Sequence, residues 1–349
     1  MKTIKTKQHP VYVGDDSLAL VEKHCIPYSK RFVLVDENTK KYCLPFLKKI
    51  ITAHYLIQIK SGEKKKDITS CTKIWEELSK QNADRNSLLI NLGGGVISDL
   101  GGFAASTYKR GIDCINIPTT LLAQVDASVG GKTGIDFNSL KNQIGTFSFP
   151  KAVFIYPSFL NTLDKRQLLS GYAEVIKHAL IADKSYWKNI SKLQISSSSI
   201  EPLIYRSVEI KNKIVAADPF EKKERKKLNF GHTIGHAIES ALLNSKNPLL
   251  HGEAIAIGMI CESYLSRKIN NFNSKDLNTI TDFIINLYNL HPISLPFSHM
   301  KKIMLQDKKN IASEINFTLL KSIGQSTVDN VCSLELVEES ISYFNQICK

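Results

Sequence analysis

The sequence predicts an α/β protein with two unlike halves: an N-terminal half that alternates short strands with helices, and a C-terminal half that is mostly helical. Three observations carry this. Between about residues 30 and 120, short β-branched runs alternate with amphipathic stretches; one such run leads directly into a glycine-rich turn, Gly93-Gly94-Gly95; and after Pro157 the segments lengthen and take on helical periodicity. The expected domains are therefore 1–157 and 158–349.

In chain order, Arg31 to Asp36, Tyr55 to Ile59, Ser87 to Asn91 and Asp113 to Ile117 are expected as buried strands, with helices between them, which makes βαβ units and a largely parallel sheet. Leu168 to Ile181, Ile200 to Ala217, Thr233 to Leu243 and Ala254 to Ile269 are expected as helices. Loops are marked at Ser196 to Ser199 and at Asn244 to Pro248, and Ile315 to Leu320 is expected as a short strand before a turn at Gly324.

With 349 residues and 43% hydrophobic content, the chain can bury two cores. Its N-terminus has lysines but no apolar run, and no segment approaches the roughly eighteen apolar residues of a membrane span, so a cytoplasmic protein is expected. Seven scattered cysteines without Cys-x-x-Cys spacing are expected to be reduced thiols. A net charge of +13 fits nucleic acid, an acidic membrane or an anionic small molecule. The basic runs Lys64 to Lys66, Lys222 to Lys227 and Lys308-Lys309 lack interleaved aromatics and any nucleic-acid motif, which argues for solvated faces.

The turn from Leu92 through Gly93-Gly94-Gly95 to Asp99 follows a strand and opens a helix, a place where backbone N–H groups and the helix dipole receive a phosphate or dinucleotide. It is not Gly-x-Gly-x-x-Gly, and a plain tight turn is the alternative. Gly130-Gly131-Lys132-Thr133-Gly134 looks like a phosphate loop, but Asp126 stands where the Walker spacing needs glycine. Arg110 and Lys132 then either bring charge to an anionic ligand while Asp126 orients a polar group, or form a salt-bridged turn.

Three of the nine histidines, His232, His236 and His251, fall within twenty residues, where random placement would leave about 0.5. His232 and His236 sit four apart, so on a helix both rings leave one face, a spacing that suits a metal. A further ligand must come from elsewhere. Glu174, Lys177 and His178 share a helix face; surface pairing of Glu174 with His178 is the plain reading, but the flanking residues are apolar and a buried carboxylate needs a cation, which makes Glu174 the candidate.

Taken together, Gly93 to Gly95 with Asp99, Lys109 to Gly111, Pro118 to Asp126, Val129 to Gly134, Lys141-Asn142, Glu174 to Lys177, Leu228 to His236 and His251 to Glu253 resemble the 3-dehydroquinate synthases, in order, from about residue 30 to 325. The resemblance implies a Rossmann-like NAD-binding α/β domain, a mostly α-helical metal-binding domain, an active site between them, and a homodimer. It implies a divalent metal, zinc first and cobalt as the alternative, held by Glu174, His232 and His251. His236 is thereby separated from His232 and, with Lys177, assigned to proton movement at the reacting oxygens.

For NAD the resemblance implies Ser61, Gly62, Glu63, Lys64, Lys65, Lys66, Gly95, Val96, Ile97, Ser98, Asp99, Thr119, Thr120, Lys132, Lys141, Phe159, Leu160, Asn161 and Thr162, with Asp36 and Asn38 on the adenosine side. For the substrate, 3-deoxy-arabino-heptulosonate 7-phosphate, it implies Arg110, Asp126, Lys132, Asn142, Lys177, Lys211, Arg225, Asn229, His236 and one of Lys308 or Lys309. The implied reaction is oxidation by NAD, elimination of phosphate, return of the hydride, ring opening and aldol closure, which makes the enzyme a lyase of aromatic amino acid biosynthesis. Ser61, Ser98, Pro219 and Lys222 to Glu224 depart from the family pattern. The alternatives are another sugar phosphate cyclase, a net NAD-dependent polyol or glycerol-phosphate dehydrogenase, and a basic nucleic-acid-binding protein.

Overall fold

The computed structural model describes residues 1–138, 140–193, 197–243, 245–305 and 315–349, without the side chains of 140, 197 and 198. The strands are β1 (Lys2–Lys5), β2 (Pro10–Val13), β3 (Lys30–Val35), β4 (Tyr55–Gln58), β5 (Ser87–Gly93), β6 (Asp113–Pro118), β7 (Lys132–Phe137), β8 (Leu140–Phe147), β9 (Val153–Ile155), β10 (Asn316–Ser322) and β11 (Gln325–Val331). The four N-terminal strands expected from sequence are thus present as β3 to β6. The chain divides into two compact units, one of Met1–Leu168 with Ile195–Asn212, the other of Leu169–Gln194 with Lys213–Lys349. This differs from a division after Pro157 mainly in giving the first unit the segment Ile195–Asn212.

In the first unit a seven-stranded sheet runs β1-β2-β9-β6-β5-β3-β4, parallel throughout except for the antiparallel β1–β2 pair. Every residue of β5 is buried, as a central strand covered on both faces requires. Alternate residues supply two cores. Val33, Val35, Leu88, Ile90, Leu92, Ile115 and Ile117 pack on one face, with Leu44 and Leu47. Phe32, Leu34, Leu89 and Cys114 pack on the other, with Cys71, Ile74 and Leu78 of the Ile68–Lys80 helix and Leu100 and Ala104 of the Gly95–Thr107 helix.

The strand order places β3 between β4 and β5, so the chain leaves β3 first to one side and then, after β4, to the other. Such a reversal opens a crevice at the carboxyl ends of β3 and β5, where parallel sheets receive ligands.

β7 and β8 form a separate antiparallel hairpin. Gly134 and Gly145 lie opposite each other across it, and a Cβ on Gly145 would overlap the Thr133 carbonyl oxygen. Gly134 therefore serves close strand pairing, whereas Gly130 and Gly131, at φ 112° and 67°, lie just before β7, which Lys132 opens.

The second unit contains the Lys184–Ile190, His232–Leu242, His251–Ile269, Ser274–Tyr288, Phe297–Leu305 and Leu334–Ile347 helices, most of the Lys165–Ala182 helix, and the β10–β11 hairpin that turns at Gly324. The His251–Ile269 helix is buried along an almost continuous run from Gly252 to Ser266, which makes it the central helix of this unit. The serine run expected as a loop instead begins the Ser197–Ala217 helix; Ser196 lies outside the described residues, as does Asn244 of the second expected loop.

The Gly95–Thr107 helix lies so close on the sheet that a Cβ at Gly101 would overlap Asn91 Oδ1, itself buried, while Asn91 Nδ2 donates to Asn116 Oδ1 at 2.9 Å. Gly101→Ala is expected to lower stability by about 1–3 kcal/mol through overpacking, read as a shift in the urea midpoint at unchanged slope.

Candidate functional site

In the first unit, the residues singled out in the sequence follow the carboxyl ends of parallel strands: Asp36 and Asn38 after β3, Ser61 to Lys66 after β4, Gly95 to Asp99 after β5, Thr119 and Thr120 after β6, and Phe159 to Thr162 after β9. The thirteen-residue Gly95–Thr107 helix starts directly at the end of β5 and has no acidic residue in its first turn. A Cβ on Gly93 would overlap Ile97, so glycine is what lets the strand pass so closely into the helix. The exposed N–H groups and positive dipole end of such a helix suit a pyrophosphate. Thr119 N–H donates to the Gly93 carbonyl at 3.0 Å, and Thr120 Oγ1 accepts from Ala123 N–H at 3.2 Å, so both hold the neighbouring turns.

The side chains are not all available to a ligand. Asp36 caps the Glu37–Tyr42 helix, its Oδ1 accepting from Thr39 N–H at 2.7 Å. Glu37 accepts from Ser61 N–H at 2.9 Å and from Ser61 Oγ at 3.0 Å, joining the segments after β3 and β4. Ile97 and Phe159 belong to the two cores and Leu160 is buried, so these positions offer a dinucleotide backbone rather than side chain. Asn38, Lys64, Lys65, Asn161 and Thr162 are exposed, and Gly62, Glu63, Val96 and Ser98 flank or line the turns between.

Lys66 is buried, ion-paired with Asp99, and donates to Asn142 Oδ1 at 2.6 Å. Burial disfavours its charge, but Asp99, Glu63 and Asp136 together hold the ammonium above the usual lysine value. Lys141 pairs with Glu63 at 3.2 Å, and Asn142, at φ 52°, donates its N–H to Asp136 Oδ1 at 2.8 Å. Asp126 lies on a π-helical turn, Ala123–Ala127, and pairs with the buried Lys211 at 2.7 Å. Arg110 and Lys132 are exposed, Arg110 with a left-handed φ of 68° immediately after Lys109 at 50°. Strained backbone of this kind concentrates at functional positions.

In the second unit, Glu174, Lys177 and His178 of the Lys165–Ala182 helix are all buried rather than paired at a surface. Glu174 Oε2 is ion-paired with Lys177. Glu174 Oε1 faces His232 Nε2 at 3.5 Å and His251 Nε2 at 3.6 Å. A tetrahedral ion whose ligands sit about 2.0–2.1 Å away holds those ligands about 3.4 Å apart, so this carboxylate and two imidazoles are spaced to share one.

The far nitrogens agree. His232 Nδ1 lies 3.1 Å from the Phe230 carbonyl and His251 Nδ1 lies 3.2 Å from Glu239 Oε2. Both partners are acceptors, so each Nδ1 carries a proton and each Nε2 is the nitrogen left to face a cation. His236 is adjacent, its ring 5.0 Å from that of His232 and 5.7 Å from that of His251, and a donor atom of each of the three rings lies within 4.8 Å of the others.

Close helix packing makes this possible. A Cβ on Gly252 would overlap the Ser170 carbonyl, whereas Gly252 N–H instead donates to Ser170 Oγ at 2.9 Å, one turn before Glu174. A Cβ on Gly258 would overlap the Gly231 carbonyl, immediately before His232. Glu262, fully buried, accepts from Gly231, Thr233 and Ile234 N–H at 2.6, 3.1 and 3.2 Å and so caps the helix that carries His232 and His236.

Arg225 is buried and donates to the Pro219 carbonyl at 2.6 Å, while its N–H goes to Asp218 Oδ2 at 3.1 Å. Asn229 Nδ2 donates to Glu221 Oε1 at 3.0 Å. Lys308 and Lys309 lie outside the described residues. Sequence reasoning missed Glu37, Asp136, Ser170, Glu239 and Glu262. Two of them carried a usable signal: Glu239 is seven residues after His232, and Glu262 eleven after His251, spacings that keep each on its histidine's helix face.

Residues 56–170 match the family described as 3-dehydroquinate synthase N-terminal, and residues 171–310 match 3-dehydroquinate synthase C-terminal. A 3-dehydroquinate synthase of Parabacteroides distasonis is 44% identical over 327 residues, covering 92% of this chain and 93% of that protein. Among solved structures, a 2-deoxy-scyllo-inosose synthase complexed with carbaglucose-6-phosphate, NAD+ and Co2+ is similar at TM-score 0.85 and 24% identity, covering 97% of this chain and 99% of that one. A 2-epi-5-epi-valiolone synthase of Streptomyces hygroscopicus with NAD+ and Zn2+ bound is similar at TM-score 0.85 and 24% identity, covering 99% of each. At that identity the two structures establish likeness of fold alone.

Two outcomes follow from the histidine site. Gly252→Ala should force the His251 helix away from Ser170 and weaken zinc binding by tenfold or more in a chelator competition, roughly the loss expected of a displaced ligand. Burial lowers the His251 imidazole, but Glu239 and Glu174 outweigh it and push it up to about 9. Metal-free His251 is therefore charged at neutral pH, and an ion taking Nε2 must displace that proton. Zinc binding at pH 7 should release about one proton more than at pH 10, measured calorimetrically in buffers of different ionisation enthalpy.

Proposed function

The chain belongs to the 3-dehydroquinate synthase family of carbocycle-forming lyases, and on that premise we propose how its residues convert 3-deoxy-arabino-heptulosonate 7-phosphate to 3-dehydroquinate and phosphate. The observation that carries the proposal is the single oxygen, Glu174 Oε1, facing the Nε2 atoms of both His232 and His251. In this reading those three residues hold one divalent metal, zinc by preference and cobalt as a substitute. Bound there, such a metal would supply Lewis acidity to the substrate hydroxyl, and NAD would supply a reversible hydride acceptor, so that no net oxidation would result.

Each of the chain's residues then has a defined task. The ammonium of Lys177 holds Glu174 Oε2, which leaves Oε1 as the ligand atom and fixes the carboxylate's plane. His236, one turn from His232, accepts and gives back the proton of the reacting oxygen, and Lys177 Nζ donates hydrogen bonds nearby. Arg110, Lys132, Asn142, Lys211, Arg225 and Asn229 bind the substrate's carboxylate and phosphate, and Asp126 orients Lys211.

The turns at Gly95 to Asp99 and Thr119 to Thr120 receive the dinucleotide's phosphates. Ser61 to Lys66, Lys132, Lys141 and Phe159 to Thr162 border it, and Asp36 and Asn38 lie toward its adenosine. We place the enzyme in the cytoplasm as a homodimer; among the described residues no helix is long and apolar enough to cross a membrane.

Incubation of the chain with the heptulosonate phosphate, NAD and zinc should release phosphate without accumulating NADH, and a chelator should stop the release. His232→Ala should lose both metal and turnover, whereas His236→Ala should keep the metal and lose about 100-fold or more in kcat. NADH accumulating in proportion to substrate would instead establish a net dehydrogenase.

A further inference from the structure

An imidazole that binds a metal through one nitrogen needs an acceptor at the other, and the two histidines of this site find theirs in different ways. His232 Nδ1 uses the carbonyl of Phe230, two residues back on the same chain. His251 Nδ1 uses a side chain from another helix, Glu239 Oε2 at 3.2 Å. Among the described residues no backbone carbonyl duplicates that contact, so the orientation of the His251 ring depends on a residue that substitution can remove.

Glu239 is 5% exposed. A carboxylate so buried carries a large desolvation cost, which its contact with an imidazole offsets. It lies two turns after His232 and nearly one turn after His236 on the His232–Leu242 helix. That helix packs tightly on the helix of His251, where a Cβ at Gly235 would come within 2.9 Å of Ile255 Cδ1. One helix thus presents a ligand of its own and the support for a ligand on its neighbour.

The carboxylates also divide the labour. Glu174 is shared between Lys177 and the two imidazoles, whereas Glu239 touches the site through the outer nitrogen of His251. From this arrangement we infer that Glu239 is a positioning residue for the metal, which aligns His251 Nε2 with Glu174 Oε1 and, through its charge, strengthens His251 as a donor. The inference rests on the metal reading proposed above, and it assigns Glu239 no contact with substrate.

The test compares Glu239→Gln and Glu239→Ala with the parent chain and with His251→Ala, measuring zinc affinity by chelator competition and the visible absorption of the cobalt-loaded proteins. Glu239→Ala should weaken zinc binding about 10- to 100-fold and change the position and intensity of the cobalt bands. Glu239→Gln, whose amide oxygen still accepts from Nδ1–H, should keep the band positions and lose less affinity. Parental affinity within twofold and an unchanged cobalt spectrum in Glu239→Ala would overturn the inference, even if thermal stability fell. A parent chain that binds no metal, or a His251→Ala chain that binds it undiminished, would instead overturn the metal reading.

Discussion

The second unit is organised around one expensive group, the fully buried carboxylate of Glu174. An ionised carboxylate out of water is tolerated only with compensating charge, and here Lys177, itself buried, supplies it on one oxygen while two imidazoles approach the other. Breaking such a pair from one side typically costs about 3–5 kcal/mol, whereas hydrophobic residues of the same volume would pack as well or better. The pair is thus poor evidence of selection for stability and good evidence of selection for a site. The surrounding packing is consistent with that: glycines at 252 and 258 remove side chains where helices meet, forgoing buried apolar area to bring Ser170, Glu174, His232 and His251 close together.

The first unit solves a different problem with backbone. Its parallel strands end on one edge, and the reversal of strand order at β3 leaves room there for a ligand. The groups around this edge are locked to one another: Asp36 to its own helix, Ser61 to Glu37, Lys66 to Asp99 and Asn142, Lys141 to Glu63. Loops so cross-linked have fewer conformations to lose when a ligand arrives, which lowers the entropic cost of binding. Lys66 ties the segment after β4 both to the Gly95–Thr107 helix and to Asn142 in β8, so one ammonium holds three segments together.

What the sequence made legible follows from how each feature is encoded. Buried parallel strands are continuous apolar runs, and β3 to β6 agree within two residues; the histidine cluster stands out because His232, His236 and His251 are close in the chain. The β7–β8 hairpin was missed, since its glycines serve strand approach but look like turn residues, and much of it is exposed. β2 and β9 are too short to show a period. Glu239 and Glu262 share a helix face with a histidine of the cluster, but each acts on a residue outside its own helix, and only the fold brings those partners together. Residues assigned by resemblance alone, such as Ile97 and Phe159, show a related limit: a matched position does not say whether side chain or backbone does the work, and burial here leaves only the backbone.

The same distinction settles how the net charge of +13 bears on an anionic substrate. Within each unit, the buried cations singled out in the sequence are matched locally: Lys66 by Asp99 and Lys211 by Asp126 in the first, Lys177 by Glu174 and Arg225 by the Pro219 carbonyl with Asp218 beside it in the second. Pairs of this kind add little to the long-range field, because each cation is cancelled within a few ångströms; they act as fixed dipoles that bind at contact distance. Attraction from afar falls to exposed cations such as Arg110 and Lys132, screened by salt within about 8–10 Å. The overall basicity of the chain is therefore a matter of surface and encounter, while its buried cations sit in oriented pairs whose charges the fold has already neutralised.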